Sequence, residues 1–201
     1  MFRNSLIRLA ALSTLAVAAV APAAAQTVLK IGYTPIKDSH YGVGATVFCD
    51  EIAKGTANRY SCQHFPSSAL GGEREMIEAV QLGTQDMVNT STGPLGNFVP
   101  ETKIIDVPFL FRDKAHARAV LDGPIGQEML NKFDSKGFKA LAWGENGVRH
   151  MTNSKRSVNA PEDLKGLKMR TPPDAVTVDI MQALGAEAQQ IKFAELYVAL
   201  Q

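Results

Sequence analysis

Three arginines, Arg170, Arg149 and Arg74, stand where this sequence can do chemistry. Arg170 ends the β-type run Leu167-Lys-Met-Arg-Thr and precedes Pro172 and Pro173. A guanidinium there can face a cleft and grip a carboxylate through two parallel hydrogen bonds. Arg149 lies in a second short run, Val148 to Thr152. Two arginines at the edges of successive strands make a converging anion site, because open α/β sheets bind ligands outside the carboxyl ends of their strands. Arg74 falls in the first turn of an expected helix, where backbone N–H groups also favour an anion. Each has a plainer reading as a solvated surface arginine, with Glu162 or Asp163 as partners for Arg170. The chemistry is anion capture rather than covalent catalysis.

Catalytic constellations are thin. Gly42-Val-Gly44 opens like a dinucleotide fingerprint, but Val47 stands where its third glycine belongs. The sequence has no Gly-Lys-Ser/Thr phosphate loop and no Gly-x-Ser-x-Gly elbow. His40, His64, His116 and His150 fall at no spacing that implies a triad or a metal site. Cys62 with His64 lacks the paired short spacings of a zinc site. Tyr33, Tyr41 and Trp143 can line a pocket or pack as core. The expectation is a binding protein without cofactor, metal or enzymatic activity; an exported hydrolase and a ligand sensor are the alternatives.

These arginines need elements to hold them. Val28 to Tyr33 reads as a strand, and Asp38-Ser39 caps a helix from His40 to Lys54. Arg59 to Phe65 is a second strand, Ser68 to Leu82 a helix stopped by Gly83, and Asp86 to Asn89 a short strand. Pro108 excludes a central strand from Ile104 to Phe111. Helices follow from Lys114 to Leu121 and from Asp122 to Gly137, then strands at Phe138 to Trp143, Val148 to Thr152 and Leu167 to Thr171. Asp174 opens a helix that Gly185 ends. The alternation predicts an α/β architecture with parallel pairing. A crossing between lobes fits best at Trp143 to Gly147, where glycines and polar residues interrupt the pattern.

Residues 1–25 read as an export signal, with Arg3 and Arg8 ahead of an apolar stretch from Leu9 to Val20 and Ala23-Ala24-Ala25 as a cleavage site. That stretch is shorter than the roughly 20 residues that span a bilayer, so the mature chain is expected in the periplasm rather than in the membrane. Signal removal leaves 19 basic against 20 acidic residues, a net charge of −1. No basic field favours nucleic acid. Cys49 and Cys62 are the two cysteines, and in an oxidising compartment they form a candidate disulfide. The chain ends inside the amphipathic segment Phe193 to Gln201, which reads as a fragment's end.

Several ordered stretches then carry a resemblance. Pro66-Ser-Ser-Ala-Leu-Gly-Gly-Glu-Arg-Glu-Met-Ile-Glu-Ala-Val-Gln-Leu-Gly-Thr-Gln-Asp-Met, Leu164-Lys-Gly-Leu-Lys-Met-Arg-Thr-Pro, Leu184-Gly-Ala and Glu195-Leu-Tyr-Val-Ala-Leu-Gln resemble the dicarboxylate-binding type of solute-binding proteins of tripartite ATP-independent periplasmic (TRAP) transporters. The resemblance implies a type II-like, two-lobed periplasmic-binding fold, incomplete at the C-terminus. One lobe would take residues 26–145 and the second would begin in 146–201. It further implies hinge closure on an organic acid and delivery to the TRAP membrane permease subunits. Arg170 matches the family's carboxylate clamp, Arg149 a second arginine beside it, and Arg74 an arginine used by some sialic-acid-binding members.

Overall fold

The computed structural model describes residues 25–201. The export signal assigned to residues 1–25 therefore lies outside the described residues, Ala25 excepted.

Strand β1 (Thr27–Gly32) runs between β2 (Tyr60–Phe65) and β3 (Met87–Val88), and both pairings are parallel, with Ile31 opposite His64 on one side and Met87 on the other. Parallel neighbours need a crossover element. Helix α1 (His40–Gly55) supplies the first, and its buried residues Tyr41, Ala45 and Cys49 recur every fourth position, one stripe against the sheet. Ser39 caps it by accepting from the Gly42 amide. Position 42 must be glycine, since a Cβ there would stand 1.9 Å from the Lys37 carbonyl oxygen. Cys49 and Cys62 are joined by a disulfide, Cα atoms 5.6 Å apart, which ties α1 to β2.

Helix α2 (Glu73–Gln81) is the second crossover, with Met76 and Ile77 fully buried. Its approach to the sheet depends on Gly32, where a Cβ would lie 2.6 Å from Met76 Sδ. The expected helix start at Ser68 moves to Glu73 because Ser67 and Ser68 adopt positive φ in the preceding turn. A short helix α3 (Thr92–Leu95), a 3-10 helix (Pro100–Asp106), α4 (Lys114–Leu121) and α5 (Pro124–Lys132) follow, and Gly137 at φ +82° ends that run. The second sheet pairs β4 (Lys168–Thr171) in parallel with β5 (Glu187–Gln190), joined by α6 (Ala175–Ala183). Leu164, Leu167, Met169, Met181 and Ala186 form its core. A last short helix, α7 (Leu196–Ala199), leaves Tyr197, Val198 and Leu200 exposed. No helix among the described residues is long and apolar enough to cross a membrane.

Two expected strands are absent. Phe138 to Trp143 and Val148 to Thr152 form no ladder, because neither meets a sheet edge that could take its backbone hydrogen bonds. The first is held instead by its aromatic side chains: Phe138 packs edge-on against Phe98 and Phe133, and Trp143 Nε1 donates to the Gly126 carbonyl at 3.1 Å. Strand β5 was not expected, since Glu-Ala-Gln-Gln has none of the apolar alternation that marks a strand.

Candidate functional site

The exit of β4 lies against the first sheet's helices. Asn97 Nδ2 donates to the Pro173 carbonyl at 3.3 Å, and a Cβ on Gly93 would stand 3.4 Å from Asp174 Cβ. Asp174, almost fully buried, caps α6 by accepting from the Val176 and Thr177 amides and from the Thr177 hydroxyl. Pro172 and Pro173 stop the strand, and Asp174 starts the helix. Arg170 is thereby presented at a junction between the two sheets.

Arg170 is half-buried, and its Nε donates to the Ile191 carbonyl at 2.9 Å. Among the described residues its two terminal nitrogens meet no acceptor. Glu162 and Asp163 are not its partners: the Asp163 carboxylate caps the Asn159 and Ala160 amides. Burial pulls the Arg170 pKa down from its usual value, Glu73 pushes it up, and Arg149 pulls it down again.

Arg149 is exposed and carried by the irregular stretch after Trp143. Glu145 fastens that stretch to α4 through Lys114, 2.8 Å away, and Arg118. Asn146 Oδ1 meets His40 Nε2 at 2.9 Å, at the start of α1. These ties hold Arg149 where its charge reaches Arg170, Tyr41 and Asp106. Arg74 goes elsewhere: it is exposed, and its Nε donates to Glu78 at 2.9 Å along its own helix. The structure brings Arg170 and Arg149 into one electrostatic neighbourhood and leaves Arg74 out of it.

Three further residues complete that neighbourhood. Tyr41, buried on α1, has its phenol pushed up to about 12, first by burial and then by Glu73, with Arg149 opposing. It is a neutral hydroxyl at any physiological pH. Asp106 accepts from Thr92 Oγ1 at 2.6 Å, while its other oxygen is buried without a partner. Burial raises its pKa, the Thr92 bond lowers it, Asp174 raises it and Arg149 lowers it. Glu73 is clamped by Ser91 and Thr90. Of the arginines, Arg170 alone stands at the end of an observed strand, since the stretch that carries Arg149 forms none; Glu73 and Asp106 were not singled out in the sequence. An acid in the first turn of a helix reads as a dipole partner, and one before Val-Pro as an ordinary turn residue. No group of three or more potential metal ligands occurs among the described residues.

The chain is 58% identical over 181 residues to a solute-binding protein of Verminephrobacter eiseniae, covering 90% of this chain and 54% of that relative. Among solved structures, a TRAP periplasmic solute-binding protein from Polaromonas, bound to D-erythronate, matches at 66% identity with a TM-score of 0.86. A second, from Bordetella, with density assigned to pantoate, matches at 49% identity and the same TM-score of 0.86. Each alignment covers 88% of this chain and 58% of the other. The chain thus spans little more than half the length of these relatives. It has the mixed α/β architecture of the two-lobed periplasmic-binding proteins. That family is one of solute binding rather than catalysis. Residues 31–201 match the model of the bacterial extracellular solute-binding proteins, family 7, and the chain belongs to that family.

Proposed function

We propose that the protein is the extracytoplasmic solute-binding subunit of a TRAP transporter, exported to the periplasm, where it captures an organic acid and presents it to the membrane permease. The observation that carries the reading is the pairing of a half-buried Arg170, its terminal nitrogens uncommitted, with Arg149 in the same electrostatic field. Two like charges repel, and a bound carboxylate relieves that repulsion while offering two oxygens to the fork. Arg170 is the bidentate clamp and Arg149 adds charge and orientation. A division of lobes near residue 145 fits the irregular stretch that carries Arg149, and closure of the lobes follows from ligand contacts on both sides favouring one state.

Organic acids are the ligand class because the matched Polaromonas and Bordetella structures hold erythronate and pantoate, respectively, each a carboxylate. The test is a thermal-shift screen of organic acids on the complete protein, followed by calorimetry on each hit. A ligand that binds only the native state raises the melting temperature; saturation at about 100 times Kd is worth about 2.7 kcal/mol. A panel of mono- and dicarboxylates that leaves the melting temperature of a cooperatively folding protein unmoved refutes the reading.

A further inference from the structure

The chain leaves the second sheet beside Arg170. Strand β5 ends at Gln190, and Ile191 adds one more bond to the ladder, its amide donating to the Thr171 carbonyl at 3.1 Å. The carbonyl of the same residue accepts from Arg170 Nε at 2.9 Å. A guanidinium is planar and rigid, so the bond at Nε sets the plane in which its two terminal nitrogens lie. The aim of the Arg170 fork therefore depends on how firmly the peptide joining Ile191 to Lys192 is held.

Beyond Ile191 the sheet gives no further support. Residues 192–195 are exposed, and the 3-10 turn Phe193–Glu195 contains no buried residue. The next fixed point is the Lys192 side chain, whose Nζ is ion-paired with Glu75 Oε1 on α2, the crossover helix of the first sheet. Glu75 is itself seated: its second oxygen, Oε2, is closed off from solvent, 2.6 Å from where a Cβ on Gly72 would stand. Its Cβ lies 3.0 Å from the corresponding point on Gly71, and the Lys192 stem passes the same turn with Cδ 3.7 Å from the point on Gly72. Two glycines thus leave the room in which the carboxylate and the lysine stem meet, and a side chain at position 72 would displace the carboxylate. The hydrogen bond between the partners is the first cause that holds the Glu75 carboxyl below its usual range and the Lys192 ammonium above its own.

We propose that Glu75 is a positioning residue for the acid site: through Lys192 it fixes the Ile191 carbonyl, and that carbonyl presents the Arg170 fork to a ligand carboxylate. The assignment rests on the carboxylate-binding function proposed above. Glu75 acts through its neighbours rather than on the acid, and its contribution is preorganisation, the ordering of the fork before the acid arrives. A half-exposed ion pair is worth little by itself, so breaking it loosens the anchor by a factor of about two to five and leaves the clamp in place.

The experiment reads the anchor directly. Hydrogen exchange of the arginine Nε–H groups is followed by NMR in the isotope-labelled complete protein without ligand, the Arg170 signal being assigned by its loss in Arg170→Lys. Glu75→Gln and Lys192→Met should each speed exchange at Arg170 Nε about two- to fivefold and weaken erythronate binding in calorimetry by a similar factor. The double variant should be no worse than the worse single, since both remove one contact. Arg156, whose Nε donates to the Asp163 carbonyl at 2.8 Å, is the internal control and should keep its rate. Unchanged exchange at Arg170 overturns the assignment, and so does an acceleration that Arg156 shares, which is the mark of a merely structural role. Faster exchange at Arg170 with unchanged erythronate affinity overturns it as well. If one single variant fails to fold, the other decides alone. A folded wild type that binds neither erythronate nor any other acid of the panel refutes the general function instead.

Discussion

A guanidinium withdrawn from water costs free energy unless something ionic pays it back, and Arg170 has only a neutral carbonyl on its Nε. Its position is therefore poised for an anion. Arg170→Ala is expected to weaken acid binding by about 2 to 5 kcal/mol, and Arg170→Lys to weaken it as well, since an ammonium cannot reproduce the fork. Arg149 is exposed, so its contribution is screened: Arg149→Ala should cost less and lose its effect as salt rises. Arg74→Ala should move affinity by less than about 0.5 kcal/mol, because that side chain is spent on Glu78. Calorimetry on the three variants checks the order, and equal losses at 74 and 170 would contradict it. His64 supplies a pH prediction. Burial and Lys37 lower its pKa, Asp50 opposing, and its Nδ1 sits 3.1 Å from the hydroxyl of the fully buried Tyr33. A histidine depressed in the folded state contributes fully above its unfolded value of about 6.5, and that contribution is lost as pH falls from there through the lower folded value. His64→Gln should flatten this part of the stability profile in denaturant titrations between about pH 5 and pH 7.

At the scale of elements, two local devices hold the frame of the site. The Cys49–Cys62 disulfide closes a loop with a sequence separation of 13 between α1 and β2. Removing it as the Cys49→Ser, Cys62→Ser double variant should cost about 3 kcal/mol in urea unfolding, the loop-closure entropy of a loop near that size. Asp174 caps α6 immediately after the prolines that end β4, so Asp174→Ala should cost about 1 to 2 kcal/mol and disturb the exit of the Arg170 strand. An intact denaturation midpoint for that variant would show the cap to be idle. The elements also mark the reach of sequence reading. Helix α1 was legible through its Asp38-Ser39 cap, whereas Glu187–Gln190 hid as a strand because its pairing with β4 comes from register alone. Phe138 to Trp143 had the composition of a strand and became an aromatic strap across α5. Strand propensity describes fit to a pleated surface and needs that surface to exist.

For the whole molecule, polar contacts cross between the two sheets, Asn97 with Pro173 and Lys192 with Glu75, beside the close approach of Asp174 to Gly93. Polar crossings of this kind exchange readily with water, so relative motion of the two parts is the expected behaviour. Ligand binding should convert the complete protein to a more compact state, visible as a smaller radius of gyration in small-angle scattering on adding a bound acid. Arg170→Ala should abolish that change at ligand concentrations that saturate the wild type. A radius that ignores a bound ligand would remove hinge closure from the mechanism while leaving acid capture intact.

Read as a string of residues, the chain already specified alternating helices and strands, the partner of each cysteine and Arg170 at a strand end, because periodicity, caps and pairing chemistry act over a few neighbouring positions. Folding alone decided that the charge of Arg149 reaches Arg170 while Arg74 is spent on Glu78, that Glu73 is clamped by Ser91 and Thr90, and that one oxygen of Asp106 is buried without a partner. The reach of Arg149 to Arg170 and the hold on Glu73 join residues 17 positions or more apart. Their distances are set by sheet register, by the ties of Glu145 and Asn146, and by the packing of α2 against Lys192, none of which leaves a mark in local sequence.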